Sequence, residues 1–312
     1  DLFDAGQLMS NGFRGGTVIY NNLEAFYDIG VRLKGSLAGR TPILGDVNSG
    51  SYKVRFNSDQ LFRGVHEVLS LDGSGRSQYY DGNGQDEILI THMLSRAGGI
   101  ASVYHDLGYL ISPNTNSQYT RPVIMMMARY SDVYLEETFG NDSDGTLYEF
   151  EIVYYMNQNV VSGNKETLKN GMLGGGFVPT DFGNIGTEKE DYRWNYLIKN
   201  KRAADNYDNV MSTAQAFSLS GAILDSVLED VIDVSQWMRM YAMQSLSGNL
   251  DVYGIDAAPH NIWLYDHPGT GKIMVLPWDL DFSFAGRRPP NDTLHAEPGA
   301  PNWNIGKIID RP

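Results

Sequence analysis

Cysteine is absent from this chain. That excludes a disulfide framework and any cysteine-ligated zinc site, but it does not decide the compartment. No apolar run approaches eighteen residues, so no membrane-crossing helix is expected. Basic residues are scarce, with 24 Lys and Arg against 38 Asp and Glu and a net charge of −14. So little positive charge to displace phosphate counterions argues against nucleic acid as a partner, and fits a cationic or neutral one. No HExxH helix and no GxGxxG or GKS phosphate loop occurs. The GGG run at 174–176 follows no strand pattern and is weak as a phosphate cradle. There is no internal repeat. The chain opens on Asp1 with no visible signal peptide and reads as a piece of a longer protein or a processed one.

What is present is ample core material. Of the 312 residues 42% are hydrophobic and 12% aromatic, including 19 Tyr, enough for one large domain or two lobes. GVRLKG at 30–35 and SYKVRF at 51–56 alternate apolar and basic residues, the period of half-buried strands. Lys34, Lys53 and Arg55 then share polar faces, either solvated or able to contact nucleotide phosphates together with Arg32. Further strands are predicted at 17–20, 65–71, 101–111, 122–128 and 146–155. The run VIMMM at 123–127 reads as buried on both faces. Helical spacing is predicted over 85–96, stopped by Gly98 and Gly99, with Glu87 as a charge favourable to the helix N-terminus or as the carboxylate orienting a phosphate-binding lysine. A helix is also expected at 133–139. DGNGQDE at 81–87 echoes a calcium loop but fails it, having Asp86 and His92 where Gly and Glu are required.

The second half reads differently. A long excursion at 156–206 leads into a helix expected near 189–201. Another helix at 220–232 presents Ile223, Leu224, Val227, Leu228 and Val231 as one apolar face. The next is capped by Asp233 or Ser235, carries Trp237, Met240 and Tyr241, and stops at Gly248. The layout is α+β in two lobes, a sheet-rich region 1–150 and a helix-rich region 151–312.

Residues 245–286 concentrate the chemistry. Two short apolar runs, 262–265 and 273–276, flank the turn-rich segment HPGTG and predict a hairpin. Pro277 ends the second run. Asp251, Asn261, Asp279 and Asp281 surround it, although Asp is a poor strand residue. Loop carboxylates and turn caps are one explanation. The other is a hard-cation site, because Mg²⁺ and Mn²⁺ favour oxygen ligands and Mg²⁺ takes one or two carboxylates plus substrate phosphates. The order Asp, Asn, Asp is that of a kinase, although the first two stand ten residues apart rather than five. His260 reads as a structural histidine, or as the sole support for a metal-dependent hydrolase.

VLPWDLDFSFAG, preceded by NLD and HNIWLYD, resembles the C-terminal signature of the CotH kinase family, the spore-coat-protein-H type of atypical protein kinase. The likeness runs over most of residues 28–286. GVRLKGSLAGR is similar to that family's GVRLRGNSS strand, SYKVRF to its SYRLKF strand, and LFRGVHEVLSL to the segment that follows. SRAGGIA resembles its LxRxAGxPA stretch and DGTLY its G-LYK element. WDLD is the most specific part. The chain departs where KGSLA replaces RGNSS, where Glu149 replaces a frequent Lys, and where MMARY stands in place of a Glu before the helix. The resemblance implies a two-lobed atypical kinase fold using ATP with Mg²⁺ or Mn²⁺. It implies Asp251 as the catalytic carboxylate, Asn261 and Asp279 as metal ligands with Asp281 as a second carboxylate, and a protein hydroxyl as acceptor. The alternative it leaves is a kinase-fold module that binds partners in a secreted or cell-surface protein and transfers nothing.

Overall fold

A computed structural model of the chain describes residues 10–35, 51–73, 85–97, 99–111, 121–150, 153–154, 177–178, 181–249, 251–255, 260–284 and 303–309. The glycine run at 174–176 and positions 81–84 of the calcium-loop echo lie outside these residues. The protein is α+β. It divides into two compact units that interleave along the chain. One comprises Asp1–Ile88, Val103–Arg129 and Tyr154–Phe177; the other comprises Leu89–Ser102, Tyr130–Val153 and Val178–Pro312.

The first unit holds an antiparallel sheet of β1 (Arg14–Tyr20), β2 (Glu24–Leu33), β3 (Tyr52–Arg55), β4 (Val68–Asp72), β5 (His105–Leu110) and β6 (Arg121–Met127), in the order β1-β2-β3-β4-β6-β5. The two alternating stretches become β2 and β3, with Arg32 opposite Lys53 and Gly30 opposite Arg55. Directly opposed residues share a face, so Arg32, Lys53 and Arg55 lie on one side of the sheet. Lys34, whose amide bonds Ser51 O at 2.9 Å, follows on that side. The remaining side chains close a core of Phe26, Ile29, Val54, Phe56 and Phe62. Ile124, Met125 and Met127 of β6 are buried, as the apolar run predicts. Helix α1 (Gln85–Arg96) has the predicted bounds and starts in this unit.

The second unit carries α2 (Asp132–Phe139) and a four-stranded antiparallel sheet in the order β10-β7-β11-β12. Its strands are β7 (Thr146–Phe150), β10 (Tyr196–Ile198), β11 (Ile262–His267) and β12 (Lys272–Pro277). Short strands β8 (Val153–Tyr154) and β9 (Phe177–Val178) pair with each other. The helix expected at 189–201 is one turn only, α3 (Lys189–Tyr192). Beyond it Tyr196 and Ile198 pair with Phe150 and Tyr148 of β7. Strand pairing with burial of Tyr196 overrides the local helical composition.

Helices α4 (Asp208–Phe217), α5 (Gly221–Val231) and α6 (Val234–Leu246) complete this core. Its centre is aromatic: Phe150, Phe182, Tyr196, Phe217, Trp237 and Tyr253 are all buried together. On α5 the buried residues are Leu224 and Leu228, while Ile223, predicted on the apolar face, is 65% exposed. Ile223, one residue before Leu224 and so about 100° around the helix from it, falls outside a stripe narrower than predicted. Asp233 caps α6, its carboxylate accepting from Gln236 N at 2.9 Å. The amide side chain of Gln236 then pairs with β12 as a strand would: its Oε1 accepts from Val275 N at 3.1 Å and its Nε2 donates to Val275 O. Trp237 Nε1 donates to Ile273 O at 2.9 Å. Among the described residues, no helix is long and apolar enough to cross a membrane.

Candidate active site

The site begins where α6 stops. Gly248 takes φ 67°, its N–H bonds Ser245 O at 3.0 Å, and Asn249 N bonds Gln244 O at 3.1 Å. This is a Schellman ending, which needs a left-handed residue at the position Gly248 fills. It delivers Asn249, fully buried, as a hub. Asn249 Oδ1 accepts from Asp251 N at 2.9 Å, and its Nδ2 donates to Ser283 Oγ at 3.1 Å. Ser283 also lies 3.4 Å from Ser247 Oγ, and Phe284 N donates to Ser247 O at 2.6 Å. The loop after α6 and the loop after β12 are thereby knotted together.

The hairpin β11–β12 forms at the predicted place, with Ile262 opposite Pro277. Just before β11, Asn261 adopts φ 61°; just after β12, Asp279 adopts φ 55°. Left-handed backbone is uncommon outside glycine and most tolerated by Asn and Asp, and such positions concentrate at functional sites. Trp278 N donates to Asn261 O at 3.3 Å, tying the two ends of the hairpin. Leu280 is buried with Ile90, Leu94, Ile100, Val252 and Ile255. Trp278 packs against Trp263 and Tyr130, with ring centroids at 5.4 and 6.0 Å. Anchoring Leu280 and Trp278 leaves Asp279 and Asp281 half-buried on the loop.

The structure brings Asp251 and Asn261 into contact. Asn261 Nδ2 donates to Asp251 O at 2.6 Å and lies 3.4 Å from Asp251 Oδ2. The other carboxylate oxygen, Oδ1, is 3.1 Å from His260 Nε2. His260 is braced in turn, its carbonyl accepting from Tyr253 N at 3.0 Å. Tyr253 is fully buried, and its hydroxyl donates to Asp181 Oδ1 at 2.6 Å. Asn304 N donates to Asp181 Oδ2, also at 2.6 Å. Burial pushes the Asp181 carboxyl above its ordinary value despite these bonds, and drives the Tyr253 hydroxyl well above its own.

The residue types suit a hard cation. Because the Asn261 amide nitrogen bonds Asp251, its carbonyl oxygen is the ligand-type atom. Asp279 and Asp281 add carboxylates. Among the described residues, no group of three or more His, Asp or Glu side chains could hold a metal ion without other donors. Mg²⁺ is usually bound through one or two carboxylates together with substrate phosphates.

The four basic residues singled out by alternation belong to the first unit, and the acidic loops belong to the second. Arg55 lies 4.5 Å and Arg32 5.6 Å from the centroid of the Phe13 ring. Arg32 also donates to Asn11 Oδ1 at 3.0 Å and to Leu33 O at 2.8 Å. Burial, with Arg129 nearby, pulls its guanidinium below the ordinary value. Lys34 forms an ion pair with buried Asp72, which also accepts from Ser51 Oγ at 3.2 Å. Glu87 lies in the first turn of α1, where a cap charge is expected, and is buried there, 3.6 Å from His105 Nε2. Glu149, on β7, pairs with Lys199, whose ammonium also sits 5.5 Å from the Trp263 ring centroid. Asn249 and Ser283 went unrecognised in sequence. The one available signal was an Asn directly following a helix-stopping Gly.

Oxygen-bearing side chains thus sit on loops tied together beside an antiparallel hairpin, on an α+β fold. The CotH kinase protein family matches residues 120–307, more than half of the chain, and the chain belongs to that family. The match takes in β6 and everything after it as far as residue 307, including both site loops, while β1–β5 precede it. No curated protein matches the chain.

Proposed function

We propose that the chain is an atypical protein kinase that transfers phosphate from ATP to a protein hydroxyl, with its two compact units as the lobes. The observation that carries this reading is the bracketed carboxylate of Asp251, held by His260 on one oxygen and Asn261 on the other. Asp251 accepts the hydroxyl proton as the acceptor oxygen bonds to the γ-phosphorus and ADP departs. Such transfer depends mainly on positioning and charge neutralisation. Asn261 and Asp279 would hold Mg²⁺ or Mn²⁺, with Asp281 as a further carboxylate, and the bound cation would neutralise phosphate charge. Arg32, Lys34, Lys53 and Arg55 are the candidate nucleotide-binding residues in this reading.

A second reading, a kinase-fold module of a secreted surface protein that binds partners without transfer, is favoured by Glu149. It stands where the family often has Lys, and it is engaged with Lys199. Thermal denaturation with ATP and Mg²⁺ or Mn²⁺, with and without EDTA, separates the two when paired with label transfer from γ-labelled ATP. The kinase reading expects a melting shift that EDTA abolishes, together with labelled protein. No shift and no label would refute it.

A further inference from the structure

We propose that His260 is the positioning residue of this site, its Nε2–H donating to Asp251 Oδ1 and fixing the plane of that carboxylate; the inference rests on the kinase reading of Asp251. The main chain of Asp251 is already fixed, its N–H on Asn249 and its C=O on Asn261. The side chain is a separate matter. The terminal torsion of an aspartate is broad and nearly two-fold, so main-chain bonds alone do not aim its oxygens. Asn261 Nδ2 reaches Oδ2 only at 3.4 Å, and it already serves the carbonyl at 2.6 Å. The contact from His260 to Oδ1, at 3.1 Å, is shorter than that from Asn261 to Oδ2.

His260 is equipped to hold this contact. Its side chain is largely shielded from water, with 17% of its surface exposed, and a hydrogen bond strengthens in such surroundings. Its backbone is pinned to Tyr253, which the core surrounds. A ring that carries its proton on Nε2 orients the carboxylate through Oδ1. The adjacent residue, Asn261, supplies the second contact, so one dipeptide addresses both oxygens of Asp251. Its register is set by the Ile262–Pro277 pairing at the mouth of the hairpin.

The test has two independent readouts. Nitrogen-15 long-range NMR of the His260 ring should show the Nε2–H tautomer in the wild type and lose that preference in Asp251→Ala. In transfer assays with Mn²⁺ and ATP, His260→Leu should lower kcat by about a hundredfold while the KM for ATP stays within about twofold. The melting shift induced by nucleotide and metal should likewise persist. His260→Gln, which keeps an N–H within similar reach, should recover part of the lost kcat. An Nδ1–H tautomer in the wild type would overturn the proposal. So would an unchanged kcat in His260→Leu, or a loss matched by a lower ligand-free melting temperature that Gln does not relieve. Should His260→Leu fail to fold, the ring tautomer and the Gln variant still decide. A wild type with the Nε2–H tautomer but no transfer would refute the kinase reading while supporting the hydrogen bond.

Discussion

Asp279 offers a way to separate what its backbone costs from what its carboxylate does. It holds φ 55° directly after β12. A residue bearing a Cβ costs roughly 1–2 kcal/mol in that region, and glycine escapes the penalty. Three substitutions divide the contributions. Asp279→Asn keeps shape and tolerance of this backbone and removes one negative charge from a loop that also carries Asp281. Its ligand-free stability should lie within about 0.5 kcal/mol of wild type, or slightly above if the carboxylates repel one another. Asp279→Ala keeps the strain without the side chain and should lose about 1 kcal/mol, or about 2–4 °C in Tm for a domain of this size. Asp279→Gly should lie above Ala. With ATP and Mn²⁺, the wild type should gain in Tm, and none of the three variants should. The assay is differential scanning fluorimetry of all four proteins with and without ligand. If Asp279 instead serves as the acceptor for a buried donor beneath Trp278, Asn would lose about 1–3 kcal/mol and rank with Ala. That ranking, or a ligand shift retained in Asn, would refute the metal-ligand role.

Two further outcomes follow from the second unit. Gln236→Leu strips two partners from Val275 of β12 and should cost about 2–4 kcal/mol, read as a lower urea midpoint at unchanged slope; a loss below the error of the measurement would mean the pairing contributes nothing. For Asp181, burial raises the folded-state pKa above its ordinary 3.8, so the folded protein binds this proton more tightly than the unfolded chain. Wild type therefore loses stability from this group as pH rises from 3.8 through the raised value. The stability of Asp181→Asn relative to wild type should climb across that window and level off above it, measured by urea unfolding at several pH values; a difference that is flat or falls with pH would contradict the sign.

Much of the architecture was legible because it rests on local pattern. The spacing of Ile88, Leu89, His92 and Leu94, with Gly98 and Gly99 beyond, placed α1, and two apolar runs around HPGTG placed the hairpin. The stretch at 189–201 misled because what decides it is distant: Tyr196 and Ile198 pair with β7, some fifty residues earlier. The order of Asp251, Asn261 and Asp279 could be read from the chain. Their geometry could not. The left-handed turns at Asn261 and Asp279 lie at the two ends of the hairpin, and the contact of His260 with Asp251 brings together residues that Tyr253 and buried Asn249 hold separately. In sequence that histidine was an isolated polar residue. Asn249 has no pattern of its own beyond its place after Gly248.

The knot at Asn249 has a consequence for motion. The N–H of Asp251 is held by Asn249, and the N–H of Phe284 by Ser247, while Asn249 and Ser247 both meet Ser283. Neither loop can open without breaking bonds that secure the other. Amide hydrogen exchange at Asp251 and Phe284, more than thirty residues apart in the chain, should accordingly report one shared opening free energy. The end of α6 sets that value, and the loop around Asp279 breathes only as far as Ser247 allows.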